Sequence, residues 1–199
     1  MYKRQIYASF VGSTVGITTE VVTTNSWGQP VSAAAAGSGF VITNDGYILT
    51  NYHVIDGAQS IKVAFVDGTT YDAVLVGGEE ENDIAVLKID TTGLTPVIIG
   101  DSDNIKVGEQ VVAIGNPLGE LTYSMTQGII SAKDRSITMQ NGEVMNMLQT
   151  DTAINSGNSG GPLFDMYGQV IGITSAKLSS SSSSLSLIHI SEPTRLQLI

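Results

Sequence analysis

Short runs rich in valine, isoleucine and threonine, each closed by turn residues, follow one another along most of this chain and leave little choice of fold. Residues 15–23, 39–43, 47–50, 60–66, 70–76 and 84–89 form a first set, broken at Asn44-Asp45-Gly46, Asp67-Gly68 and Gly77-Gly78. A second set covers 97–100, 110–114, 125–131, 136–139, 145–149, 162–165 and 169–173, with turns at Asn141-Gly142 and Tyr167-Gly168. No dozen consecutive residues hold a 3.6 period, and the best helical candidate is a single turn after His53. Strands this closely spaced predict an all-β barrel or sandwich and argue against repeated βαβ units. Residues 91–95 read as a connector between halves of about six strands each.

A length of 199 residues holds one large β domain or two small ones with a substantial core. There is no cysteine, so disulfides and thiolate metal sites are excluded, and two histidines make a poor basis for a zinc enzyme. Neither a metal nor a cofactor is expected. Asp plus Glu number 19 against 9 Lys plus Arg, a charge of −10, which argues against nucleic acid or an anionic membrane as partner. No apolar run approaches the ~20 residues that span a bilayer, and no signal peptide is evident.

Both ends stand apart from this pattern. Residues 1–5 and 185–195 resemble translated sequencing adapter, and 196–199 would belong with them. The natural protein is therefore expected to extend in both directions, and the missing signal carries no weight. Without these ends the chain loses Lys3, Arg4, His189, Glu192 and Arg195, leaving 6 basic against 18 acidic residues, a charge of −12, and His53 as its one histidine. The serines at 179–184 cannot build a core and read as a surface loop. The acidic run 79–81 reads as a solvated turn, and Trp27 as a packing residue between early strands.

Three segments carry chemistry: Thr50-Asn51-Tyr52-His53-Val54, Asn82-Asp83-Ile84 and Gly157-Asn158-Ser159-Gly160-Gly161-Pro162. Singly, each has an ordinary reading as a packed histidine, a turn aspartate and a loop. Jointly they meet a demanding specification. A serine hydroxyl attacks only when a base takes its proton, and a histidine is the side-chain type suited to that, which makes His53 the candidate. An imidazole needs a carboxylate on its other nitrogen to fix the tautomer, a role open to Asp83. The glycines around Ser159 let main-chain N–H groups approach a substrate, so Gly157, Asn158 and Ser159 form the candidate oxyanion loop, with Gly157 and Ser159 as donors. Gly157 to Gly161 also satisfies the G-x-S-x-G pattern of a nucleophile elbow, which needs a following helix and a downstream histidine. Pro162 to Phe164 instead reads as a strand, and the order His53, Asp83, Ser159 is that of the chymotrypsin arrangement.

These segments, with Gly37-Ser38-Gly39-Phe40-Val41-Ile42, Ala113-Ile114-Gly115-Asn116-Pro117 and Thr150 to Asn155, resemble the HtrA/DegP family of trypsin-like serine proteases from Ile6 to about Lys177. The resemblance implies a chymotrypsin-like double β-barrel, residues 6–90 and 96–178, with the site in the cleft between them. It implies a triad of His53, Asp83 and Ser159 that cleaves unfolded proteins outside the cytoplasm in protein quality control, with homotrimers in the full-length form. It further implies that Thr174, Ser175 and Ala176 pair with substrate main chain by β-augmentation, beside a pocket lined by Ile173 that takes small apolar side chains.

Gly37-Ser38-Gly39 could suggest phosphate binding, but no helix follows it. The resemblance ends after the serine run, where the family has another strand and then a PDZ domain. The second barrel is thus expected to lack its last strand, and the 199-residue polypeptide to be poorly folded or inactive while its longer parent is a protease. A membrane anchor or signal would precede Ile6. Two readings compete: a non-catalytic peptide-binding or chaperone module on a protease scaffold, which an intact His53, Asp83 and Ser159 disfavour, and a serine esterase, which the residue order disfavours.

Overall fold

The computed structural model describes residues 3–24, 29–116, 123–138, 144–155, 157–175 and, for the main chain, 186–189. Trp27, Asn141-Gly142, Ala176, the serines 179–184 and the turn after Asn116 lie outside the described residues.

A helix, α1 (Lys3–Phe10), opens the described chain, followed by β1 (Thr14–Thr24), β2 (Pro30–Val41), β3 (Tyr47–Thr50), the single helical turn α2 (Tyr52–Ile55), β4 (Ala58–Ala64), β5 (Thr70–Glu79) and β6 (Ile84–Ile89). These strands close a six-stranded barrel in the order β1-β2-β3-β6-β5-β4. Alternation sends Val15, Ile17, Val41, Ile48, Leu87 and Ile89 inward, all fully buried. Glu79, Glu80 and Glu81 are exposed around the β5–β6 turn, as their charge requires.

The second half contains β7 (Ile98–Ile99), β8 (Gln110–Gly115), β9 (Ser124–Thr138), β10 (Val144–Thr150), β11 (Pro162–Asp165), β12 (Gln169–Ser175) and β13 (Ser186–His189). The sheet runs β11-β8-β9-β10-β13-β12-β7 and curls until β11 also pairs with β12. β8 is buried on both faces: Val111 and Ala113 face the inside of the sheet, while Val112 and Ile114 join a cluster shared with the first barrel. This explains a continuous apolar run where a one-sided strand would alternate.

Two elements were not in the sequence reading at all. The helix α1 was not expected. Ile6 and Phe10, four apart, lie on one face and are buried in the shared cluster, with Phe10 stacked on Phe164 at 4.9 Å between ring centroids. The second departure is at the place expected to be missing a strand. There, β13 pairs with β10 from Met147 to Thr150 and with β12 from Ile173 to Ser175. Main-chain pairing asks only for free N–H and C=O groups, which four residues without proline supply.

Tyr123, just before β9, ties the halves together. Its hydroxyl donates to the Ala64 carbonyl (2.6 Å) and accepts from the Gly16 N–H (3.1 Å), while its carbonyl accepts from the Tyr7 hydroxyl (3.2 Å). Burial pushes its phenol up to about 12, with Asp67 and Tyr7 adding to the rise and the Gly16 N–H opposing it, so the group is a neutral donor at physiological pH.

Candidate active site

Thr50 ends β3, and Asn51 turns the chain into α2 with its φ at −80° and ψ at 148°. The turn is too short to be stable alone and rests on buried Val54 and Ile55. It presents His53 with its side chain 23% exposed, while Asp83 beside it is 3% exposed. Asp83 occupies the last position of the turn before β6 at φ +49°, a left-handed conformation that aspartate tolerates better than most residues. That twist brings its carboxylate back over α2. One oxygen accepts from the His53 main-chain N–H at 2.9 Å, and Nδ1 of the ring lies 2.7 Å from Oδ2 and 3.0 Å from Oδ1. Asn51 Nδ2 donates to the Asp83 carbonyl at 2.8 Å, fixing the same turn from the other side. A carboxylate against Nδ1 keeps the proton there, which leaves Nε2 with its lone pair as the basic nitrogen.

The loop before β11 brings Ser159 against β2, where its carbonyl accepts from the Ser38 N–H. Gly157 and Gly160 have φ of +94° and +84°. A Cβ on Gly160 would lie 2.2 Å from the Ser38 carbonyl and 2.3 Å from Thr50 Oγ1, so only glycine lets the loop dock on β2 and β3. Asn51 N is 3.1 Å from that same point, two residues from His53.

Ser38 is the hub of this docking. Its N–H donates to the Ser159 carbonyl (2.7 Å), its hydroxyl donates to the Gly157 carbonyl (2.7 Å) and accepts from the Asn116 N–H (2.9 Å), and its carbonyl accepts from Thr50 Oγ1 (2.7 Å). The Gly37-Ser38-Gly39 run is therefore a strand segment that a neighbouring loop approaches closely. Sequence reasoning did not assign Ser38 a place in the site. Glycines inside a strand were the available signal.

Asn158 is 4% exposed, and its Oδ1 lies 2.5 Å from where a Cβ on Gly115 would be, so its side chain points beneath the loop. Its N–H donates to the Asn155 carbonyl at 3.0 Å. Its carbonyl accepts from Thr174 Oγ1 (2.5 Å) and the Gly161 N–H (3.0 Å). Ile173 is 1% exposed and packs in the cluster between the barrels. Thr174 is fully buried; its N–H donates to Gly161 and its carbonyl accepts from Gly160. β13 pairs along Thr174 and Ser175 on the opposite edge. The main chain of Thr174, expected to pair with substrate, is thus engaged by the Ser159 loop. The physical reason is that β12 lies between two partners, so both its edges are occupied there.

A trypsin-like peptidase domain matches residues 37–173, more than half of the chain. The chain belongs to the trypsin-like peptidase family. A protein of Hahella chejuensis named probable periplasmic serine endoprotease DegP-like is 49% identical over 146 residues, which are 73% of this chain and 30% of the relative. One of Pseudomonas savastanoi pv. phaseolicola with the same name is 53% identical over 139 residues, 70% of this chain and 28% of the relative. The chain thus spans about a third of these relatives' length. Among solved structures, the HtrA-type protease AlgW with a decapeptide superposes with a TM-score of 0.81 at 33% identity, over all of this chain and 66% of that one. AlgW with a tripeptide gives 0.81 at 36% identity, over 96% of this chain and 60% of that one. This trypsin-like peptidase chain has the expected HtrA/DegP resemblance, and its two curled sheets are the chymotrypsin-like double β-barrel.

Proposed function

We propose that the protein is a serine endopeptidase of the HtrA/DegP type, in which Ser159 attacks the scissile carbonyl, His53 Nε2 takes its proton and returns it to the leaving amine, and Asp83 holds the imidazole. The 2.7 Å contact between His53 Nδ1 and Asp83 Oδ2, reinforced by the His53 main-chain N–H on the same carboxylate, carries this reading. It puts the basic nitrogen opposite the buried carboxylate, and a bare structural histidine needs no such arrangement. The acyl-enzyme forms as the amine leaves, and water repeats the sequence in reverse. The N–H groups of Gly157 and Ser159 stabilise the tetrahedral oxyanion.

Unfolded protein segments outside the cytoplasm are the substrates this reading assigns. Peptides in the AlgW structures and the periplasmic names of the relatives support that choice. The test is digestion of a permanently unfolded protein beside its folded form by the purified chain. Selective cleavage of the unfolded form, abolished in Ser159→Ala, is expected. Cleavage that survives Ser159→Ala, or binding without cleavage, contradicts it, the latter favouring the peptide-binding module.

A further inference from the structure

Thr174 makes one bond more than its place in a β-ladder requires. Its main-chain N–H and C=O are satisfied by Gly161 and Gly160, yet its buried hydroxyl also donates to the Asn158 carbonyl at 2.5 Å, with the Gly161 carbonyl the farther acceptor at 3.1 Å. A hydroxyl has one proton, so the nearer carbonyl receives it. That carbonyl belongs to the peptide plane whose other end is the Ser159 N–H. No peptide bond in the described chain is cis, so the two groups point in opposite directions across a rigid plane.

We propose that the Thr174 hydroxyl is a positioning residue for the oxyanion site: by fixing the tilt of the Asn158 carbonyl it fixes the direction of the Ser159 N–H. The proposal rests on the reading of Ser159 as nucleophile. Two glycines at positive φ, Gly157 and Gly160, flank this stretch, and their low torsional cost leaves the plane to be held from outside. Two groups hold it, the Gly161 N–H and the Thr174 hydroxyl, both donating to the Asn158 carbonyl, the latter from the next strand. Of these only Thr174 lies outside the loop itself, and its side chain is fully buried and, being β-branched, restricted at χ1. Donor direction matters because an oxyanion donor acts only when it is aimed at where charge develops.

The experiment compares wild-type protein with Thr174→Val, Thr174→Ala and Thr174→Ser, reading kcat and KM on a peptide substrate and the affinity for a peptidyl trifluoromethyl ketone. That compound forms a tetrahedral oxyanion adduct with an active serine. With Val or Ala, kcat is expected to fall about tenfold, the equivalent of one hydrogen bond, while KM stays within about twofold and ketone affinity falls in step with kcat. Ser is expected to restore all three. Using both Val and Ala keeps a single misplaced methyl from deciding the result, and melting curves identify folded variants. A folded Val or Ala variant with wild-type kcat overturns the proposal alone. So does a loss in kcat that Ser fails to restore. Absence of Ser159-dependent turnover in the wild-type protein overturns the reading of the site, and the proposal with it.

Discussion

Asp83 shows how much of the site hangs on single side chains. Its Oδ1 is bound to the His53 main-chain N–H, so in Asp83→Asn the amide oxygen keeps that bond and the amide nitrogen faces Nδ1. The ring must then carry its proton on Nε2, the wrong tautomer for a base. A fall in kcat/KM of about 10⁴ is expected with the fold retained, as checked by steady-state kinetics beside circular dichroism. Gly160 fails differently. In Gly160→Ala the new Cβ would sit 2.2 Å from the Ser38 carbonyl at a φ of +84°, so both strain and collision oppose folding of the loop. A loss of about 2 kcal/mol or more is expected from chemical denaturation, with Ser159-dependent activity lost together with it.

Some elements were legible because their own residues decide them. Strands β3, β6 and β11 occupy the residues that the short apolar runs and their bounding turns predict. Others depend on a partner. β2 begins at Pro30, nine residues before its predicted start, because Ala33 to Ala36 pair with β1 although alanine has little strand preference. β9 is one strand where two were expected; Asp134 at φ +52° lies within it, and the ladder to β10 slips register nearby. The brace at Tyr123 links residues more than fifty positions apart and left no local trace. In Tyr123→Phe both hydroxyl bonds are lost, and a drop of about 1 kcal/mol is expected in urea unfolding. The pH dependence follows from a folded value of about 12 against an ordinary 10. The brace contributes fully below pH 10, and its contribution falls as pH rises through 12, because the unfolded phenol ionises first. Wild type and Phe variant should therefore converge in stability from pH 9 to 11.5, and a constant gap would contradict this.

The molecule as a whole depends on two long-range closures. The shared cluster locks the barrels at Phe10 and Phe164, and Phe164→Ala is expected to cost about 3–5 kcal/mol in thermal or urea unfolding. β13 fills the second sheet between β10 and β12, so deleting 185–199 is expected to expose two edges, lower the melting temperature and promote aggregation. An unchanged melting curve would instead match the sequence reading of that segment as foreign. The candidate site was legible where its residues sit in contiguous motifs, two of which the bond between His53 and Asp83 joins. It was not legible in Ser38, nor in the side-chain bond of Thr174, which the sequence reading named only for its main chain; their partners lie 119 and 16 residues away and are joined only by folding. What remains is whether the arranged groups react. Intact-mass measurement after exposure to a fluorophosphonate tests this most directly. One adduct per chain is expected, mapped to Ser159 and absent in Ser159→Ala and His53→Ala. An unlabelled wild-type protein, or an adduct that persists in Ser159→Ala, would contradict the account.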